Sequence, residues 1–152
     1  MGLSIRRATV ADVQIVTEFN RRLALETEGK TLDLPTLQVG VERCLRDPQK
    51  GIYFLAEQNG IVLGQVMFTF EWSDWRNGWF WWLQSVYVQA DARGQGVFRA
   101  LFEQVLREAR QQGDVIGVRL YVEEHNSAAQ SVYAKLGLER TAYHLLEKYP
   151  LE

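Results

Sequence analysis

Asn59-Gly60 stands between two β-rich runs, Ile52 to Glu57 and Ile61 to Phe70. Both residues tolerate the positive φ that a two-residue hairpin turn imposes, so the dipeptide predicts an antiparallel pair. A polar turn, Ser73 to Gly78, leads into a third run, Trp79 to Val88, and makes the pair a three-strand meander. That meander is the frame on which the remaining segments must pack.

Before it, Ser4 to Arg7 reads as a short strand. Thr9 and Asp12 form a capping-box start, and Val13, Val16, Phe19 and Leu23 recur at helical spacing to about Glu26. Thr27 to Asp33 is polar and loop-like. Pro35 suits a first helical position, and Leu37, Val41, Cys44 and Leu45 form one face of a second helix that stops before Pro48. After the meander, a helix from Val97 carries Phe98, Leu101, Phe102, Val105 and Ala109 on one face and is closed by Gly113. Ile116, Val118, Leu120 and Val122 alternate with other residues, as in a half-buried strand. Asn126 can cap a fourth helix with Ala129, Val132, Tyr133 and Leu136 on its apolar face, ended by Gly137. Thr141 to Glu147 reads as a last strand. The expected order is β-α-α-β-β-β-α-β-α-β: an α/β chain with a mixed, mostly antiparallel sheet and flanking helices, kept as one domain over 1–152.

Composition removes several classes of function. Of 152 residues, 47% are hydrophobic and 24% charged, which is too apolar for disorder. A net charge of −2 lacks the basic excess of a nucleic-acid binder. Cys44 is the single cysteine, so no internal disulfide or cysteine-rich zinc site can form. It lies on an apolar helical face and reads as core. His125 and His144 show no metal spacing, and no metal is expected. No run is long enough to span a bilayer, and the N-terminus has neither a signal core nor a myristoylation pattern, so the expected address is the cytoplasm.

The chemistry concentrates in Arg93-Gly94-Gln95-Gly96, directly after a strand and directly before a helix. Glycines let the backbone approach an anion, and the helix N-terminus adds a favourable dipole. No Gly-Lys-Ser/Thr follows, and Phe98 fills the third-glycine place of a dinucleotide fingerprint, so neither of those phosphate loops is present. The segment Val86-Tyr87-Val88, five residues, Gly94-Gln95-Gly96 and an amphipathic helix resembles the acetyl-CoA motif of the GNAT superfamily of N-acetyltransferases. Its Arg/Gln-x-x-Gly-x-Gly/Ala pattern maps to Arg93, Gly96 and Phe98, the last departing from the usual small residue. Asn126-Ser127 followed by Tyr133-Ala134-Lys135-Leu136-Gly137-Leu138 resembles the superfamily's second motif. The element order agrees with the GNAT acyl-CoA N-acyltransferase fold.

The resemblance implies that the backbone of Val86, Tyr87 and Val88 serves the pantetheine arm of acetyl-CoA. It implies that Arg93, Gly94, Gln95, Gly96, Val97 and Phe98 hold the pyrophosphate, with Asn126 and Lys135 contacting the co-substrate from the fourth helix. Tyr133 is the expected general acid. Attack of an amine on a thioester expels a thiolate, and a phenol titrating near 10 can protonate a group titrating at about 8.5. The base is open among Glu71, Glu123 and Glu124, each also an ordinary strand-end charge. Gln84 sits where polyamine acetyltransferases have a glutamate. Glu71-Trp72-x-Asp74-Trp75 is similar to the diamine/polyamine branch, which makes Glu71, Trp72 and Gln84 candidate substrate contacts. Trp75, Trp79, Trp81 and Trp82 divide between core or dimer surface and cleft wall. Glu26, Glu28 and Asp33 add negative potential or merely solvate their loop. The expected activity is acetyl transfer from acetyl-CoA to the amine of a small molecule, polyamine/diamine-like or amino-acid-like, by direct attack in a ternary complex. Acetylation of a protein or peptide and a non-catalytic acyl-CoA-binding module are the alternatives. A homodimer is expected from the density of aromatics at one sheet end.

Overall fold

The computed structural model describes residues 2–152. Strand β1 (Ser4–Arg7) is followed by helices α1 (Val13–Glu28) and α2 (Leu34–Arg46). The meander then follows as β2 (Ile52–Gln58), β3 (Ile61–Ser73) and β4 (Gly78–Val88). Helix α3 (Val97–Gln112), strand β5 (Val115–Leu120) and helix α4 (Ser127–Lys135) complete the regular elements. The sheet order is β1-β2-β3-β4-β5, antiparallel throughout except for the parallel β4–β5 pair.

Local chemistry explains the boundaries. Asn59 and Gly60 take φ of 53° and 75°, as the hairpin between β2 and β3 requires. At the head of α1, Asp12 accepts the Thr9 N–H at 2.8 Å while the Thr9 hydroxyl accepts from Ala11 at 3.3 Å. This box first winds one 3-10 turn, Val10–Asp12, which runs into the α-helix. Arg6 reaches from β1 to both Asp12 carboxylate oxygens at 2.8 and 2.9 Å and so ties the strand to the cap. Asp33 caps α2 by accepting the Thr36 N–H at 3.1 Å.

The two faces of the sheet bury different helices. On one, Phe54, Val66, Phe68, Trp81 and Leu83 pack under Val97, Leu101, Phe102, Val105 and Ala109 of α3. On the other, Tyr53 and Leu55 pack under Val16 of α1 and Val41 and Cys44 of α2. Cys44 is buried, as its helical face predicts, and burial raises its thiol pKa. Gly64 lets α3 approach closely, since a Cβ there would stand 2.9 Å from the Tyr87 carbonyl and 3.1 Å from Val97.

One expected element is missing. Thr141 to Glu147 forms no strand, and 139–152 are exposed. A strand exists only against a neighbour that takes up its backbone hydrogen bonds. Among the described residues the segment hydrogen-bonds to no strand.

Candidate active site

The glycine loop sits where the sequence predicts, between β4 and α3. Gly94 and Gly96 take φ of 76° and 82°, a left-handed conformation that glycine adopts without strain. A Cβ added at either would meet no protein atom within 4 Å, so the loop faces open space. Among the described residues, the backbone N–H groups from Gly94 to Phe98 find no protein acceptor. They lie at the positive end of a 16-residue helix. Unpaired donors, open space and a helix dipole together make an anion cradle.

Arg93 points elsewhere. Its guanidinium donates to the Val88 carbonyl at 2.9 Å and to Glu26 at 2.6 Å, near the C-terminal end of α1. Tyr87 donates its hydroxyl to the other Glu26 oxygen at 2.6 Å, and Arg93 lies 5.5 Å from the Tyr87 ring centre. Arg93 and then Tyr87 hold the Glu26 carboxyl below its usual range. Arg93 thus straps the loop to β4 and α1. Nearby, Gln95 donates to the Asp91 carbonyl at 3.1 Å.

Before the loop, β4 parts from β5. Their pairing runs from Trp79 with Val115 to Leu83 with Leu120 and ends there, while β4 continues to Val88. Val86 and Val88 turn their side chains toward the α3-side core, leaving only backbone along this free edge. Where the strands part, the register against β3 slips between Gln65 and Met67, and Ser85 takes φ of 50°. Fully buried Gln65 steadies this bulge. Its Nε2 donates to the Ser85 carbonyl at 2.9 Å and to Asn20 at 3.4 Å, while Asn20 donates to the Tyr53 hydroxyl at 3.0 Å. Sequence reading missed this network. A glutamine inside the apolar run 61–70 was its one local signal.

A cavity of about 530 Å³ opens under α1 and α2 and reaches the bulge. Leu23, Leu37, Val41 and Met67 give it apolar walls, Asn20, Tyr53 and Ser85 a polar end, and Glu28 and Lys30 stand at its rim. Those two rim charges pair at 3.3 Å.

Tyr133 lies on α4 with its ring edge-on to Phe98, centroids 5.6 Å apart. Phe98 also packs on Phe102, so the bulky residue at the usual small position turns toward the core and braces α4. Among the described residues the Tyr133 hydroxyl has no hydrogen-bond partner, and burial raises its pKa. Asn126 caps α4 through the Ala129 N–H at 3.2 Å, and Lys135 is an exposed charge in the last turn.

The candidate substrate contacts do not converge. Gln84 donates to Thr69 at 2.7 Å on the α1-side face. Glu71 accepts from the Trp82 indole at 2.9 Å and from Arg119 at 3.0 Å. Trp72 turns to the opposite face, where it meets Trp79 at 5.0 Å. Adjacent strand residues point to opposite sides, so Glu71 and Trp72 cannot wall one cleft. Trp75 is exposed at the tip of the β3–β4 hairpin. Trp81 is core. Glu123 and Glu124 engage His125, through its backbone N–H and its ring. Among the described residues no group of three His, Cys, Asp or Glu side chains could hold a metal, and no helix is long and apolar enough to cross a membrane.

Comparison with known proteins agrees with this architecture. Residues 17–138 match the acetyltransferase (GNAT) family, and the chain belongs to it. It is 30% identical to an L-methionine sulfoximine/L-methionine sulfone acetyltransferase of Salmonella typhimurium, across 92% of this chain and 82% of that one. It is also 30% identical to the L-amino acid N-acyltransferase MnaT of Escherichia coli, across 92% and 81%. Among solved structures, a possible acetyltransferase from Clostridium difficile 630 is 39% identical with a TM-score of 0.91, covering 99% of both chains. The chain is an acetyltransferase of this family, on a mixed α/β fold.

Proposed function

We propose that the enzyme transfers acetyl from acetyl-CoA to the amino group of a small amino acid or amino-acid analogue, by direct attack in a ternary complex. The carrying observation is the cavity under α1 and α2, which ends at the Ser85 bulge where β4 leaves β5. Its walls are mostly apolar, and its one carboxylate, Glu28, is paired with Lys30. A diamine or polyamine would call for several free carboxylates. Glu26 and Glu71 are each paired with an arginine, Arg93 and Arg119. The cavity therefore favours an amino acid over a polycation, in keeping with the names of the two curated relatives.

The residues present fit acetyl-CoA. The N–H groups of Gly94 to Phe98 would hold its pyrophosphate, and the free β4 edge at Val86, Tyr87 and Val88 would meet the pantetheine arm. Arg93 would keep the loop in place rather than touch phosphate. Asn126 and Lys135 would approach from α4. When bound, acetyl-CoA supplies the thioester. Tyr133, protonated at neutral pH because burial disfavours its phenolate, would donate a proton to the departing thiolate. With every candidate carboxylate engaged, the amine proton would leave through water. We take the working unit to be a homodimer, and a lone thiol at Cys44 suits the reducing cytoplasm.

A panel of L-amino acids, diamines and short peptides, assayed with acetyl-CoA by release of free thiol, tests the acceptor class. Turnover on amino acids well above diamines and peptides is the expected result. Turnover confined to diamines or to peptides would overturn it.

A further inference from the structure

The α3-side face of the sheet holds a second cavity, of about 620 Å³. Small-molecule sites run to roughly 300–1,000 Å³, so the space is ample for a ligand. Ile5 and Arg7 of β1 form one side, the polar flank of α3 from Gln104 to Gln112 the other, and aromatic rings the floor. No lining residue is shared with the cavity under α1 and α2, and none comes from the glycine loop. Neither acetyl-CoA nor the acceptor proposed above accounts for it.

The floor is a run of touching rings. Phe54 lies 5.5 Å from Phe68, Trp81 stacks on Phe68 at 4.5 Å, and Phe70 stands edge-on to both Phe68 and Trp81 at 5.9 Å. Such a floor takes a flat ring by stacking or edge contact. One polar atom in it is unsatisfied. Trp81 is 3% exposed, and its indole N–H finds no acceptor among the described residues, whereas the adjacent Trp82 donates to Glu71 at 2.9 Å. A buried donor without an acceptor is costly, and the cavity that Trp81 lines is where one can enter.

The two sides carry opposite charges that do not meet. Arg7 shares the face of Ile5, which packs on the α3-side core, and its guanidinium has no partner among the described residues. Neighbouring Arg6 is held instead by Asp12 and Glu57. Across the cavity Glu108 pairs with no cation and accepts only from the neutral Gln104 amide, at 3.2 Å. The register orders these groups, with Arg7 opposite Phe54, Ile52 opposite Phe68 and Phe70 opposite Trp81. Arg7 and Trp81 therefore stand at opposite ends of the ring floor, three strands or roughly 14 Å apart across the sheet.

We propose that this cavity binds a free aromatic amino acid that carries a ring hydroxyl. The ring lies on the floor, the hydroxyl accepts from Trp81, the carboxylate pairs with Arg7 and the ammonium with Glu108. Each polar group of the ligand meets a side chain that lacks a partner of that kind. Charges of both signs on facing walls select a zwitterion over a simple cation or anion. The site does not depend on what the enzyme acetylates.

The test follows the indole N–H signals of the isotope-labelled full chain during titration with L-tyrosine, with the Trp81 signal assigned through Trp81→Phe. That signal should move and saturate. L-phenylalanine, tyramine and hydroxyphenylpropionate lack the hydroxyl, the carboxylate and the ammonium in turn, and each should bind roughly tenfold more weakly. Arg7→Ala and Glu108→Gln, with melting temperatures unchanged, should weaken L-tyrosine by a similar factor while the rate of acetyl transfer holds. A Trp81 signal that stays still, or that responds equally to all these compounds, overturns the proposal. So does an affinity indifferent to both rim variants, as binding under α1 and α2 would give.

Discussion

The Tyr133 phenol is half-sheltered, braced by Phe98 and free of any hydrogen-bond partner among the described residues. A core tyrosine would normally have found one, and a proton donor needs its hydroxyl free. Tyr133→Phe should lower kcat by roughly 10²–10⁴ while acetyl-CoA affinity stays within a few-fold. The wild-type rate should fall in the alkaline range as the phenol, already raised above its ordinary pKa, finally ionises, and the variant should not show that limb. Equal rates for the two proteins from neutral to alkaline pH would make the ring structural. Asp12 is the corresponding case for stability. Arg6, and then the Thr9 N–H, lower its pKa against burial, so its ionised form favours the folded state. That stabilisation is complete above the ordinary carboxylate pKa and is lost as pH falls through the lowered one. Asp12→Asn should cost about 1–2 kcal/mol at neutral pH, and the gap should close in acid, as urea melts at several pH values would show.

At the scale of elements, what the sequence disclosed was local and what it concealed was not. The hairpin at Asn59-Gly60, the capping box at Thr9 and Asp12, and the glycine loop before α3 are each specified by neighbours in the chain, and all form as read. The opposite placement of Glu71 and Trp72 was equally legible, since consecutive strand residues alternate. The Ser85 bulge was not. It depends on Gln65, twenty residues earlier, meeting it across the sheet. The tail shows the other limit, because a strand pattern specifies a strand only where a neighbour is available. Gln65→Leu tests how far the bulge depends on that amide. The Ser85 carbonyl would lose its partner, and stability should fall by about 1–3 kcal/mol, measured by denaturant melts. Turnover should fall as well. Unchanged turnover in a folded variant would show that the bulge sets itself.

The molecule as a whole approaches the Ser85 bulge from two directions. The cavity proposed for the acceptor lies under α1 and α2, the glycine loop opens beyond the end of β4, and the Glu26–Arg93 pair joins these regions. An acetyltransferase in which the amine attacks directly needs both routes to end at one point, with the acetyl-CoA route the more sharply defined in residues. Calorimetry of acetyl-CoA against the wild type and Gly96→Ala tests that assignment. The added methyl meets no protein atom but must sit at φ of 82°, so its effect on the free protein is limited to backbone strain of roughly 1–2 kcal/mol. The predicted result is one acetyl-CoA bound per wild-type chain, with the heat lost or greatly weakened in a folded Gly96→Ala. Absence of heat with wild type, or equal heat with both proteins, would contradict the placement of acetyl-CoA on this loop.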